Sequence, residues 1–330
     1  MTALTAGSAA EHPGSTGQSG QTGQTDQTDQ TGPAGPAGSV GPVRAFLRLV
    51  MIEHSVFALP FAYVAALTAM RNLTGQVIWW RLAVITVAMV AGRTFAMAAN
   101  RIIDRHIDAR NPRTAGRELV TGVVSLRTAW VGALVALTIF FASAAALGPL
   151  CLALAPVAVV PLVVYSYAKR FTWAPHAVLG LAQAIAPIGA WIAVTDSWSW
   201  PAVVLGLAVG TWIGGFDLIY ACQDVEVERR IGVLSFPVRW GVRAALWASS
   251  LAHVVTFALF GWFGVLEGLG ALWYVGLGLT AVAFCYEHAI VRTNDLSRVN
   301  RAFFTANGVV GLVLFGFTLA DLVVIQGLGA

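Results

Sequence analysis

Asn100, Asp104 and Asp108 recur at four-residue steps in ANRIIDRHIDARNPRT, and Asp217, Tyr220, Asp224 and Glu228 follow steps of three, four and four in DLIYACQDVEVERRIG. In a helix each four-residue step drifts by only about 40°, so each set predicts one polar face. Outside the first 43 residues the chain has 13 carboxylates, and seven lie within residues 99–122 and 214–237: Asp104, Asp108, Glu118, Asp217, Asp224, Glu226 and Glu228. Converging carboxylates repel unless a cation lies between them. Oxygen donors without His or Cys suit Mg²⁺, which takes one or two carboxylates, waters and substrate phosphate. Basic residues among the acids suit a diphosphate, bridged to the acids by metal and held directly by Arg. The alternative reading is solvated loop charge following the positive-inside bias. It accounts for the arginines and leaves the acid spacing unexplained, since Asp contributes little to topology.

These faces sit in a chain built for a bilayer. Of its 330 residues, 57% are hydrophobic and 11% charged, against about 25% charged in soluble domains, and the mean hydropathy is +0.73. Apolar runs of about 20 residues match helices crossing a core of roughly 30 Å, rather than the short alternating strands of a barrel. The pattern predicts an all-α integral membrane protein of about nine spans: 46–70, 77–101, 125–147, 149–168, 175–195, 201–222, 242–264, 268–290 and 304–326. Gly148–Pro149 marks a tight turn between the third and fourth. With nine spans, 17 of the 20 Lys and Arg residues fall on one side. That side, holding the N-terminus and both acidic faces, is expected to be cytoplasmic at the plasma membrane. No nucleic-acid partner and no obligate protein partner is expected. The three cysteines, Cys151, Cys222 and Cys285, show no metal or disulfide spacing. Residues 1–43 are rich in Gln, Thr, Gly and Pro, which predicts a disordered tail before one transmembrane domain, 44–330.

The stretches NRIIDRHIDARNPRT and DLIYACQDVEVERRIGVLS resemble the two aspartate-rich motifs of the UbiA superfamily of membrane prenyltransferases. EHSVFALPFA, YSYAKR and HAVLGLAQAIAPIGAW extend the likeness over residues 44–326. The wording is most similar to the menaquinone-pathway branch of the futalosine route, with 4-hydroxybenzoate polyprenyltransferases close behind. One departure is Glu228, where the family usually has Asp.

The resemblance implies a helical bundle with a lateral lipid-facing cavity. It implies transfer of a polyprenyl group from polyprenyl diphosphate to an aromatic acid, 1,4-dihydroxy-6-naphthoate in the first instance and 4-hydroxybenzoate as the alternative. Asp104, Asp108, Asp224 and Glu228 would hold Mg²⁺. Asn100, Arg101, Arg105, Arg117, Lys169, Arg170 and Tyr220 would contact the diphosphate. His54, Arg93, Tyr165, Phe216 and Asp217 would line the cavity for acceptor and prenyl chain. Arg93 lies inside a span, where a charge is expected to face the bundle interior, and could meet an acceptor carboxylate or pair with another helix. Two rivals are a terpene cyclase on the same fold and a transporter. A transporter places its ionisable groups near the midplane in broken helices, whereas these acids end their helices on one side.

Overall fold

The computed structural model describes residues 46, 49, 59–302 and 307–329. The tail 1–43, its boundary with the membrane domain, and His54 lie outside the described residues. Nine long helices are described: α1 (Leu59–Leu73), α2 (Trp79–Asp108), α3 (Leu126–Leu147), α4 (Pro149–Ala168), α5 (Pro175–Thr195), α6 (Trp200–Ala221), α7 (Phe236–Leu266), α8 (Ala271–Ile290) and α9 (Asn307–Ala320). Among the described residues, seven helices are long and apolar enough to cross a membrane: α2 to α5, α6 with its continuation to Ile231, α7, and α9 with its continuation to Ile325. The expected count of nine is therefore seven by this measure. The described part of α1 has 15 residues, short of the roughly 20 a crossing needs, and α8 carries Glu287 and His288 in its last turn.

Local chemistry sets the helix ends. Ser125 caps α3 by accepting the Thr128 N–H at 3.0 Å. Gly148, at φ 151°, turns the chain into Pro149 of α4. Pro175 opens α5, where the missing N–H costs nothing. Gly241, at φ 85° and ψ 163°, breaks the helical path of α7 after its first turn.

Among the described residues two large apolar cores form, beside a small one of Ile219, Val291, Val299 and Ala302. One gathers Phe61, Trp212, Phe260, Phe263 and Trp273, and the other Phe95, Ala98, Leu119, Ala129 and Ala133. α5 and α6 cross closely because glycines face each other. A Cβ on Gly180 would lie 2.5 Å from the Gly210 carbonyl oxygen, and one on Gly210 would lie 2.7 Å from that of Gly180. Lipid gives helices no hydrophobic drive to associate, so close backbone approach carries the packing. The pairing sets the start of α5 beside the end of α6. At the other end of the bundle Arg71 meets Glu267 at 3.1 Å. Asp321 accepts the Gly270 N–H at 2.7 Å, satisfying the start of α8.

Candidate active site

Asn100, Asp104 and Asp108 all lie on α2, which runs on to Asp108. The second set departs from the expected single helical face. α6 ends at Ala221, a tighter 3₁₀ turn spans Cys222–Asp224, and a short helix follows at Val225–Ile231. Three residues wound at about 120° rather than 100° turn Glu228 by about 60° relative to Asp217. Glu228 accepts a hydrogen bond from Ser235 at 2.6 Å. Gly232, at φ 75°, ends the short helix in the left-handed conformation that glycine adopts readily.

Each remaining acid of the expected metal set is paired with a base. Lys169 reaches Asp104 at 2.6 Å and Arg170 reaches it at 3.5 Å. Asn100 donates to Asp104 at 2.9 Å and to Ser166 at 3.1 Å. Arg117 meets Asp108 at 2.6 Å. Asp224 receives Arg113 and, at 3.3 Å, the buried side-chain amide of Asn111. The Asn111 backbone N–H also donates to the Asp108 carbonyl at 3.2 Å. One loop thus ties the end of α2 to the end of α6, and the two acidic stretches meet on one side of the bundle. Asp104, Asp108 and Asp224 are buried.

Beside these pairs opens a cavity of roughly 1390 Å³. Its polar mouth holds Asn100, Arg101, Arg113, Arg117 and Tyr220, and Asp217 lines the cavity about one helical turn further along α6. Its apolar walls include Met89, Phe140, Leu154, Leu179 and Ile188, and it extends to Trp198 beyond the far end of α5. Along α2 the lining runs from Ile85 to Arg101, about 24 Å at 1.5 Å per residue. The exposed Val90 on α2 and Val157 on α4 also line it, so it opens on the side of the bundle.

Of the expected cavity residues, Arg93, Tyr165, Phe216 and Asp217 line it. Arg93 presents a buried Nε with no partner, and Phe216 packs edge-on to Trp212 at 5.4 Å. Of the expected diphosphate contacts, Asn100, Arg101, Arg117 and Tyr220 line the cavity. Lys169 and Arg170 stand behind it on Asp104, while Arg105 is half-buried and away from the lining. The four acids themselves do not line it; Arg113 and Arg117 stand between Asp224 and Asp108 and the open space.

Four contributors were not expected from sequence: Asn111, Arg113, Ser235 and His176, whose Nδ1 lies 2.6 Å from Asp217. The polar run NPRT after α2 was a visible signal for the first two. Burial alone disfavours the charged Arg113 guanidinium, but its hydrogen bond and charge pairing with Asp224 outweigh this and raise its pKa. Among the described residues, no three His, Cys, Asp or Glu side chains form a ready metal cage. The donors present are carboxylate oxygens in pairs with bases. That set fits Mg²⁺, whose shell is completed by water and phosphate oxygen rather than by protein alone.

A model of the UbiA prenyltransferase family matches residues 58–309. The 4-hydroxybenzoate octaprenyltransferase of Alkalilimnicola ehrlichii is 31% identical over 238 residues, covering 72% of this chain and 81% of its own. That of Cupriavidus pinatubonensis is 32% identical over 228 residues, 69% of this chain and 80% of its own. Among solved structures, the apo form of a UbiA homologue from Aeropyrum pernix K1 shares 35% identity at a TM-score of 0.73, covering 82% of this chain and 98% of that one. A UbiA homologue from Archaeoglobus fulgidus, solved with GPP and Mg²⁺, shares 19% identity at a TM-score of 0.66, covering 84% and 99%, a likeness of fold. With matching motifs, an all-helical membrane bundle and relatives of this kind, the chain belongs to the UbiA prenyltransferase family, and it is a multi-pass membrane enzyme that transfers prenyl groups.

Proposed function

We propose that this enzyme moves a polyprenyl group from its diphosphate to a ring carbon of a hydroxylated aromatic acid, in quinone biosynthesis. The observation that carries this reading is the joining of two acid–base helix ends by Asn111 and Arg113 at the mouth of a long apolar cavity. Residues 44–330 act as one catalytic domain. The basic side of the bundle faces the cytoplasm, where both substrate head groups are met.

Asp104, Asp108, Asp224 and Glu228 would hold Mg²⁺. The ion, when bound, would neutralise charge building on the leaving diphosphate. Arg101, Arg113 and Arg117 line the mouth and supply fixed positive charge to the same oxygens, in a site with little water to reorganise. Asn100 orients Asp104 by its 2.9 Å bond. The apolar walls hold the isoprenoid chain and exclude the water that would quench an allylic cation. Phe216, Tyr165 and Tyr220 line the same cavity, and aromatic rings can favour a nearby cation. Arg93 is placed to meet the acceptor carboxylate.

The relatives support 4-hydroxybenzoate as acceptor, since those at about 31% identity carry that name. The wording of the two motifs and of HAVLGLAQAIAPIGAW supports 1,4-dihydroxy-6-naphthoate as a second reading. Purified enzyme in nanodiscs, given Mg²⁺, a polyprenyl diphosphate and each acceptor side by side, should form a C-prenylated acid with one strongly preferred. Absence of product from every aromatic acceptor would remove the reading.

A further inference from the structure

Asp217 differs from its neighbours. Asp104, Asp108 and Asp224 are held by Lys or Arg, and Glu228 by a hydroxyl. Asp217 instead has its Oδ2 2.6 Å from Nδ1 of His176, in the first turn of α5. The imidazole side chain is 7% exposed, and its Nε2 is buried with no partner.

That orphan nitrogen decides the charge state. An imidazolium would bury an N–H donor with nothing to accept it, at a helix N-terminus whose dipole opposes positive charge. A neutral ring protonated on Nδ1 leaves only a lone pair unmet and gives Asp217 its donor. Asp217 is therefore a carboxylate oriented by a neutral partner, so its negative charge is not cancelled by that partner. It lines the cavity beside Phe216 and Tyr220. It also lies seven residues before Asp224, about 10 Å along the helix from the diphosphate end. Glu118, the other carboxylate on the cavity, opens the four-residue helix Glu118–Thr121 next to Arg117 at that end.

We propose that Asp217 is the base that takes the acceptor's ring proton, and that His176 is its positioning residue. This rests on the aromatic-transfer reading above. After the prenyl carbon bonds to the ring, the C–H bond at that ring carbon breaks. Its electron pair restores aromaticity and the proton goes to the Asp217 oxygen not engaged by His176. The imidazole keeps its own proton and holds the other oxygen in place.

Two measurements test the pair. Nitrogen-15 NMR of histidine-labelled enzyme in nanodiscs, with His176 assigned by its loss in His176→Gln, should show a neutral ring protonated at Nδ1 at neutral pH. An imidazolium or an Nε2–H tautomer would overturn the pairing. Turnover is then measured with Mg²⁺, a polyprenyl diphosphate and 4-hydroxybenzoate carrying deuterium beside its hydroxyl, or 1,4-dihydroxy-6-naphthoate deuterated at its prenylated carbon. Asp217→Asn should lower kcat about 100-fold or more and reveal a primary isotope effect missing from the wild type, with KM for the diphosphate unchanged. His176→Ala should show the same isotope effect, and His176→Gln, which keeps an N–H donor, should recover part of the rate. Slowed variants without an isotope effect would overturn the base role alone. A wild type that prenylates no aromatic acceptor would overturn the base role together with the reading beneath it.

Discussion

Arg113 grips Asp224 with two nitrogens, Nε at 3.0 Å from one carboxylate oxygen and Nη2 at 2.5 Å from the other. This fork joins the loop after α2 to the end of α6, and Arg113 also donates to the Tyr220 hydroxyl at 3.2 Å. Its raised pKa keeps it charged throughout the working range. A charge-assisted contact is worth about 1.5–3 kcal/mol, so Arg113→Ala should weaken diphosphate binding about 10- to 100-fold. Arg113→Lys should not restore it, because an ammonium cannot reproduce the fork. Titration with a non-hydrolysable diphosphate analogue reads both.

Asp104 gathers Asn100, Lys169 and Arg170 around one carboxylate. Asp104→Asn should abolish measurable turnover while the thermal unfolding midpoint in detergent stays near that of the wild type. Retained activity would remove Asp104 from the metal set. Lys169→Ala, which removes the sole lysine of the chain, should raise KM for the diphosphate more than it lowers kcat.

Metal dependence follows from the donor chemistry. Chelation should stop turnover, and Mg²⁺ should restore it. Asp108→Asn should shift the activity curve toward higher Mg²⁺, and an unshifted curve would count against this ligand.

The α5–α6 crossing leaves no room for a methyl group. Gly210→Ala would push a Cβ to 2.7 Å from the Gly180 carbonyl oxygen, and such overpacking costs about 1–3 kcal/mol. The variant should melt at lower temperature. Because this crossing sets His176 beside Asp217, it should also lose activity before it unfolds.

Arg93 carries a buried Nε without a partner on the cavity wall. Arg93→Ala should raise KM for the aromatic acid and leave KM for the polyprenyl diphosphate unchanged. Equal effects on both substrates would mean that the side chain only braces the bundle.

The acidic face on α2 and the tight turn at Gly148–Pro149 were legible because each depends on local spacing or on one residue's backbone freedom. The pairing of acids with bases was not. Periodicity puts Asp224 on one expected face with Asp217, but it says nothing of the partners of Asp224, which lie more than 100 residues earlier on a loop whose course depends on where α2 stops. The 3₁₀ turn at Cys222–Asp224 was hidden for a related reason, since apolar and polar residues continue through it at helical spacing. Glu228 therefore faces Ser235 and not simply the face its spacing implied. His176 was visible only as a letter within a resembling stretch, because its meaning comes from a helix crossing.

The salt links at the cavity mouth make ligand capture an exchange of partners. A dication arriving with a polyanion would take over the carboxylates and release Arg113 and Arg117 to the phosphate oxygens. The total charge inside the mouth would change little during that swap. No lone ion would then have to be stripped of water to load the enzyme, and emptying the site would run the same trade in reverse.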